Sequence, residues 1–146
     1  MKPFTLGAVL KYRKQLEDKA RQQLYQAVEA EARLVEALHA VQEDLAGLYV
    51  SLAADQERGT TVDRLILYEH RIALVKEQMQ KSKKELQKQQ VQVEKKRQAL
   101  VKASKDRKVM EKLREQQTAA YKSYLEKKEA NMLDEIAVLS HERKQG

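Results

Sequence analysis

Three histidines, twenty-two carboxylates and four glycines are the residues of this chain from which chemistry could start. Imidazoles and carboxylates grouped at short spacing would hold a divalent metal or pass protons. Glycines clustered ahead of a helix would cradle a phosphate. Neither grouping is read from the sequence. His39, His70 and His141 are scattered, with no carboxylate or second histidine at metal spacing, and are expected as exposed helix residues. The glycines lie at 7, 47, 59 and 146, which makes no phosphate loop. No Gly-x-Ser-x-Gly turn or other nucleophile constellation occurs. Cysteine is absent, which excludes a disulfide framework or thiolate metal site and suits a reducing compartment. The expectation is no catalytic residue, no metal, no cofactor and no enzyme. The carboxylates are expected to pair along helix surfaces and face water.

The elements that would position any site are helices. Leu10, Arg13, Glu17, Ala20, Leu24, Ala27, Glu31, Leu34, Leu38, Val41, Leu45, Leu48 and Leu52 are spaced 3, 4, 3, 4 without a break. A mean spacing of about 3.5 residues keeps one narrow seam of a helix facing a partner helix. The composition agrees: 35% charged, 5% aromatic, no Trp, one Phe, and a single proline at Pro3. Such a chain, rich in Ala, Leu, Glu, Lys, Gln and Arg, has strong helix propensity and few residues for a compact core.

The segment from Asp55 to Asp63 interrupts the pattern, with Gly59 suited to ending one helix and Thr60 or Thr61 to capping the next. The seam resumes at Leu65, Tyr68, Ile72, Val75, Met79, Ser82, Leu86, Gln89, Val93, Lys96, Leu100 and Ala103. Two seams joined by a short turn predict an all-α fold, an elongated antiparallel two-helix coiled-coil hairpin with a longer second helix. One domain over 1–146 is expected, with a helix over about 5–56, a turn over about 57–62 and a helix over about 63–142. The first helix, about 75 Å long, covers the second, about 120 Å, only to about Met110 or Leu113. Met110, Leu113, Tyr121, Tyr124, Leu125, Met132, Leu133, Ile136 and Leu139 make a broad apolar face, and the stretch beyond that point has no partner inside the chain. The polar seam residues Arg13, Glu17, Glu31, Ser82, Gln89 and Lys96 either reach out to water or fix register.

Charge is local. The segment from Lys76 to Arg114 holds fourteen Lys or Arg against five Asp or Glu, in a chain of net charge +7. A solvated flank, an acidic protein partner, anionic lipid heads and nucleic acid are the open readings. Aromatics are not interleaved with these lysines, so base stacking has no platform and nucleic acid is not expected. No apolar run approaches the roughly 20 residues that span a bilayer, and the first ten residues lack the long apolar middle of a secretory signal. A soluble cytoplasmic protein is expected.

Two end segments carry a recognisable pattern. One is Phe4-Thr5-Leu6-Gly7-Ala8-Val9-Leu10-Lys11-Tyr12-Arg13, followed by Glu17. The other is Asp106-Arg107-Lys108-Val109-Met110-Glu111-Lys112-Leu113-Arg114, then Tyr121 and Tyr124, then Leu133-Asp134-Glu135-Ile136-Ala137. With the length and the turn position, these make the chain resemble the FliJ family of flagellar type III export proteins over nearly its whole length. The resemblance implies a two-helix coiled coil similar to the central stalk of rotary ATPases. It also implies a part in flagellum biogenesis and, through it, chemotaxis. Members insert into the hexameric export ATPase ring, promote its assembly, contact the cytoplasmic domain of the export gate and interact with export chaperones. They do not hydrolyse ATP themselves. The resemblance places the protein in the cytoplasm at the flagellar base, peripheral to the inner face of the cell membrane through its partners only.

Carried onto this sequence, the resemblance puts Phe4, Leu6, Leu10, Tyr12, Leu113, Tyr121 and Tyr124 at the ATPase-ring contact. Leu6 and Leu10 could equally close the hairpin. It puts the gate contact around Tyr68, Arg71, Val75 and Gln78, although Val75 also falls on the seam. Alternatives are the equivalent stalk of a virulence-type injectisome, a generic coiled-coil chaperone or scaffold, and a basic nucleic-acid-binding coiled coil.

Overall fold

The computed structural model describes residues 3–145, with side chains over 6–144. Two helices make up the described chain: α1, Pro3–Arg58, and α2, Val62–Gln145, of 56 and 84 residues. Proline is well suited to the first helical position of α1, where its missing N–H would have no partner anyway. α1 ends at Gly59, whose φ of 83° is the left-handed conformation that a Cβ opposes. Gly59 N donates to the Gln56 carbonyl at 3.3 Å, closing the last turn. Arg58 Nε donates to the Ala54 carbonyl at 3.4 Å, placing a cation at the negative end of the helix.

Of the two threonines that could cap α2, Thr61 does so. Its Oγ1 accepts from Arg64 N at 3.3 Å, and its carbonyl accepts the first helical bond, from Leu65 N, at 3.2 Å. Asp63 stands in the first turn, where the helix dipole favours a negative charge.

Contacts divide the chain into two compact units. Unit 2 is Ala20–Leu100 and contains the turn. Its helices run antiparallel: Asp55 meets Arg64, Tyr49 meets the Lys76 ammonium, and Ala27 meets Gln89, so one number falls as the other rises. Every seam position from Ala20 to Leu52 and from Leu65 to Leu100 is buried or half-buried, with Ala27, Val41, Leu48 and Val93 buried. Most are half-buried because a two-helix layer leaves each seam residue one side open.

Unit 1 is residues 1–19 with 101–146. Here too the pairing is antiparallel, since Glu17 meets Arg107 while the Arg114 guanidinium passes 3.9 Å from where a Gly7 Cβ would stand. Leu6 and Leu10 are buried, at 6% and 4% exposure. Ala103, Arg107 and Met110 are half-buried, and the last half-buried residue of α2 is Gln117. All residues from Thr118 to Lys144 are exposed.

Two of the expectations about carboxylates need correction. Not all of them face water: Glu17 and Asp55 are buried, each at 7% exposure. Glu17 lies on the seam, and Asp55 extends it by three residues beyond Leu52. Nor is every histidine without a carboxylate neighbour, for His39 Nε2 lies 3.0 Å from Glu43 Oε1 one turn along the exposed face of α1.

Candidate functional site

Among the described residues the two buried charged side chains, Glu17 and Asp55, lie one in each unit. In unit 2 the Asp55 carboxylate gathers donors from both helices beside the turn. It accepts from Arg64 Nη2 at 2.6 Å, from the Tyr68 hydroxyl at 3.0 Å and from Arg58 Nη2 at 3.0 Å. The Arg64 hydrogen bond, then the Tyr68 one, hold the Asp55 carboxyl below its usual range. The same contact raises Arg64. This arrangement ties the start of α2 to the end of α1, and it occupies Tyr68.

In unit 1 the Arg107 guanidinium bridges two carboxylates. Its Nε donates to Glu17 Oε2 at 2.7 Å, and its Nη1 lies 2.8 Å from Glu111 Oε2. Both carboxylates, Glu17 first, raise Arg107 above its usual value. Arg107 therefore belongs to the seam and not to the solvated basic stripe. The signal was available, because 100, 103, 107 and 110 continue the 3, 4, 3 spacing. Asp55 could have been found in the same way. Among the other polar seam residues, Gln89 donates from Nε2 to the Ala27 carbonyl at 2.9 Å, a side chain capturing the backbone of the facing helix. Glu17 and Gln89 thus pair across the seam instead of reaching out to water.

The residues expected at a ring contact fall into three groups. Phe4 lies outside the described side chains. Leu6 and Leu10 are buried and close the helix pair. Tyr12, Leu113, Tyr121 and Tyr124 are exposed, and the rings of Tyr121 and Tyr124 stack with centroids 6.5 Å apart. A groove lined by Leu10, Lys14, Glu111, Arg114, Thr118 and Lys122 marks where α1 stops covering α2. Beyond it Tyr121, Leu125, Met132, Ile136 and Leu139 fall within about 60° of one another around the helix at 100° per residue. All five are exposed, from 45% at Leu125 to 58% at Ile136 and Leu139. These five side chains form one exposed apolar stripe along α2.

The residues expected at a gate contact are also divided. Arg71 and Gln78 are exposed. Val75 is half-buried on the seam, and Tyr68 is half-buried with its hydroxyl held by Asp55. Exposed Leu67 joins Arg64, Tyr68 and Arg71 in a shallow surface depression there.

Among the described residues no three His, Cys, Asp or Glu side chains could share a metal ion, and no helix is long and apolar enough to cross a membrane. No curated protein and no solved structure matches the chain. A family model, described as the flagellar FliJ protein, does match it, and over residues 1–146. With its whole length covered, as two helices of which the second is longer, the chain belongs to the FliJ family of flagellar export components.

Proposed function

We propose that the protein is a non-catalytic central stalk of the flagellar type III export apparatus. In this reading the end of unit 1 inserts into the hexameric export ATPase and promotes its activity, while the start of α2 contacts the cytoplasmic domain of the export gate. The observation that carries the reading is the exposed apolar stripe of α2 beyond Gln117, on a chain matched throughout by the family. Tyr12, Leu113, Tyr121 and Tyr124 are the ring-contact residues on this account. Leu6 and Leu10 act behind them by holding α1 against α2. Arg71 and Gln78 are the gate-contact residues, with Val75 and Tyr68 supporting them from the seam. The protein works in the cytoplasm, held at the inner face of the membrane by its partners, and export chaperones are further partners.

The mechanism is asymmetric templating. One helix pair in a six-fold ring cannot meet all six subunits alike. It favours different nucleotide states in different subunits and so couples turnover to the gate. The test is the activity of the cognate export ATPase with the wild-type protein and with the Leu113→Ala, Tyr121→Ala double variant. The variant should stay helical and stimulate less. Full stimulation by a folded double variant overturns the assignment of this surface.

A further inference from the structure

The two helices of unit 2 carry opposite net charges. From Ala20 to Arg58, α1 has three basic and seven acidic residues; from Val62 to Leu100, α2 has ten basic and five acidic ones. Unit 2 is therefore close to neutral as a whole but polarised, with one helix negative and the other positive.

On each helix the charge is ordered. Glu29, Glu36 and Glu43 recur every seven residues along α1, and all three are exposed. With Leu24, Glu31, Leu38 and Leu45 at a, and Ala27, Leu34 and Val41 at d, these glutamates occupy the f positions, directly opposite the seam. Lys81, Lys88 and Lys95 recur every seven residues along α2, all exposed, at the outward-facing c positions. Lys84, also exposed, adds to the same face. Both rows have the same pitch, about 10.5 Å per seven residues. Among the described residues no ion pair joins one row to the other, and the one partner any of the six has is His39, beside Glu43.

We infer that these rows bind a second copy of this chain, with α1 of one unit 2 lying against α2 of the next. Equal pitch lets the three glutamates meet three lysines together, whereas a single contact between exposed charges contributes little. The near neutrality of unit 2 keeps most of the chain's net positive charge off the two faces that meet. Because two different faces meet, the contact is heterologous. In an associated pair one copy keeps its lysine row free and the other its glutamate row, so association is open-ended. Exposed Arg33 stands one helical turn from both Glu29 and Glu36 and opposes the docking of lysines there. This inference is independent of the stalk reading.

The experiment is sedimentation of the full chain at about 0.01 M ionic strength, where charges act over about 30 Å, and at about 1 M, where they act over about 3 Å. The wild type should form species larger than one copy at low salt and sediment as a single copy at high salt. Glu29→Lys/Glu36→Lys/Glu43→Lys and Lys81→Glu/Lys88→Glu/Lys95→Glu should each sediment as single copies under both conditions. Their equimolar mixture should associate at low salt, because each now carries two rows of one sign. A control with Glu126→Lys/Glu129→Lys/Glu135→Lys has the net charge of the first variant but keeps both rows, and should associate like the wild type. A wild type that is a single copy at low salt overturns the inference. So does association of either triple variant alone, or assembly that persists at high salt, which would assign self-contact to the apolar stripe instead.

Discussion

Gly47 and Gly59 offer the same substitution with opposite outcomes. A Cβ added at either position would meet nothing within 4 Å, so crowding plays no part. What differs is the backbone. Gly47 lies inside α1, where glycine is about 0.8–1.0 kcal/mol less favourable than alanine. Gly47→Ala should therefore stabilise the protein by about 1 kcal/mol. Gly59 sits at a φ of 83°, where a side chain costs roughly 1–2 kcal/mol. Part of that cost, about 0.4–1 kcal/mol, is offset because alanine narrows the unfolded ensemble. Gly59→Ala should then destabilise by about 0.5–1 kcal/mol. The two variants should differ by about 1.5–2 kcal/mol, more than tenfold in the folding equilibrium. Urea unfolding followed by circular dichroism measures this directly. With a slope of about 1–3 kcal/mol per molar, the two midpoints should lie about 0.5–2 M apart on opposite sides of the wild type. Midpoints displaced in the same direction would refute the reasoning, because backbone conformation would then not be what distinguishes the two sites.

Two further outcomes follow from burial and ionisation. Leu10→Ala, at a buried seam position, should cost about 2–3 kcal/mol, near the lower end of the range for leucine truncation because a two-helix layer is half open. Leu113→Ala, at 43% exposure, should cost less than about 1 kcal/mol, and denaturant midpoints compare the two. Asp55 should make stability depend on acid. Its carboxyl is held below the usual value of 3.8 when folded, so its contribution is fully present above that value and is lost as pH falls through the folded pKa. The midpoint gap between wild type and Asp55→Asn should be constant from neutral pH down to about 5 and should shrink below about 4. A gap that widens on acidification would contradict the Arg64 and Tyr68 contacts as the cause.

Much of the helix pairing was legible residue by residue. Each of the thirteen seam positions from Leu10 to Leu52 and the twelve from Leu65 to Ala103 is buried or half-buried. The bend at Gly59 and the exposed stretch near the end of α2 were equally readable, the one from a residue that tolerates positive φ, the other from unequal helix lengths. Asp55 and Arg107 were missed because a charged residue after an apolar run reads as the run's end. The spacing ran on through both of them. Exposure alone could not be assigned to Leu6 and Leu10 either, since an apolar residue near a terminus suits a partner as well as a seam.

Spacing in the sequence determined which face of each helix is turned inward, because a repeat of about 3.5 residues commits a helix to one seam whatever lies opposite. Tertiary structure decided the axial offset between the helices. Sliding one helix by seven residues would keep the apolar seam in register over most of its length. It would, however, separate Asp55 from Arg64, Gln89 from the Ala27 carbonyl and Glu17 from Arg107. Buried polar groups lose free energy when they lose their partners, while apolar contacts tolerate the exchange of one leucine for another. The offset therefore rests on a few polar pairs, whose matching depends on positions in space that periodicity does not encode.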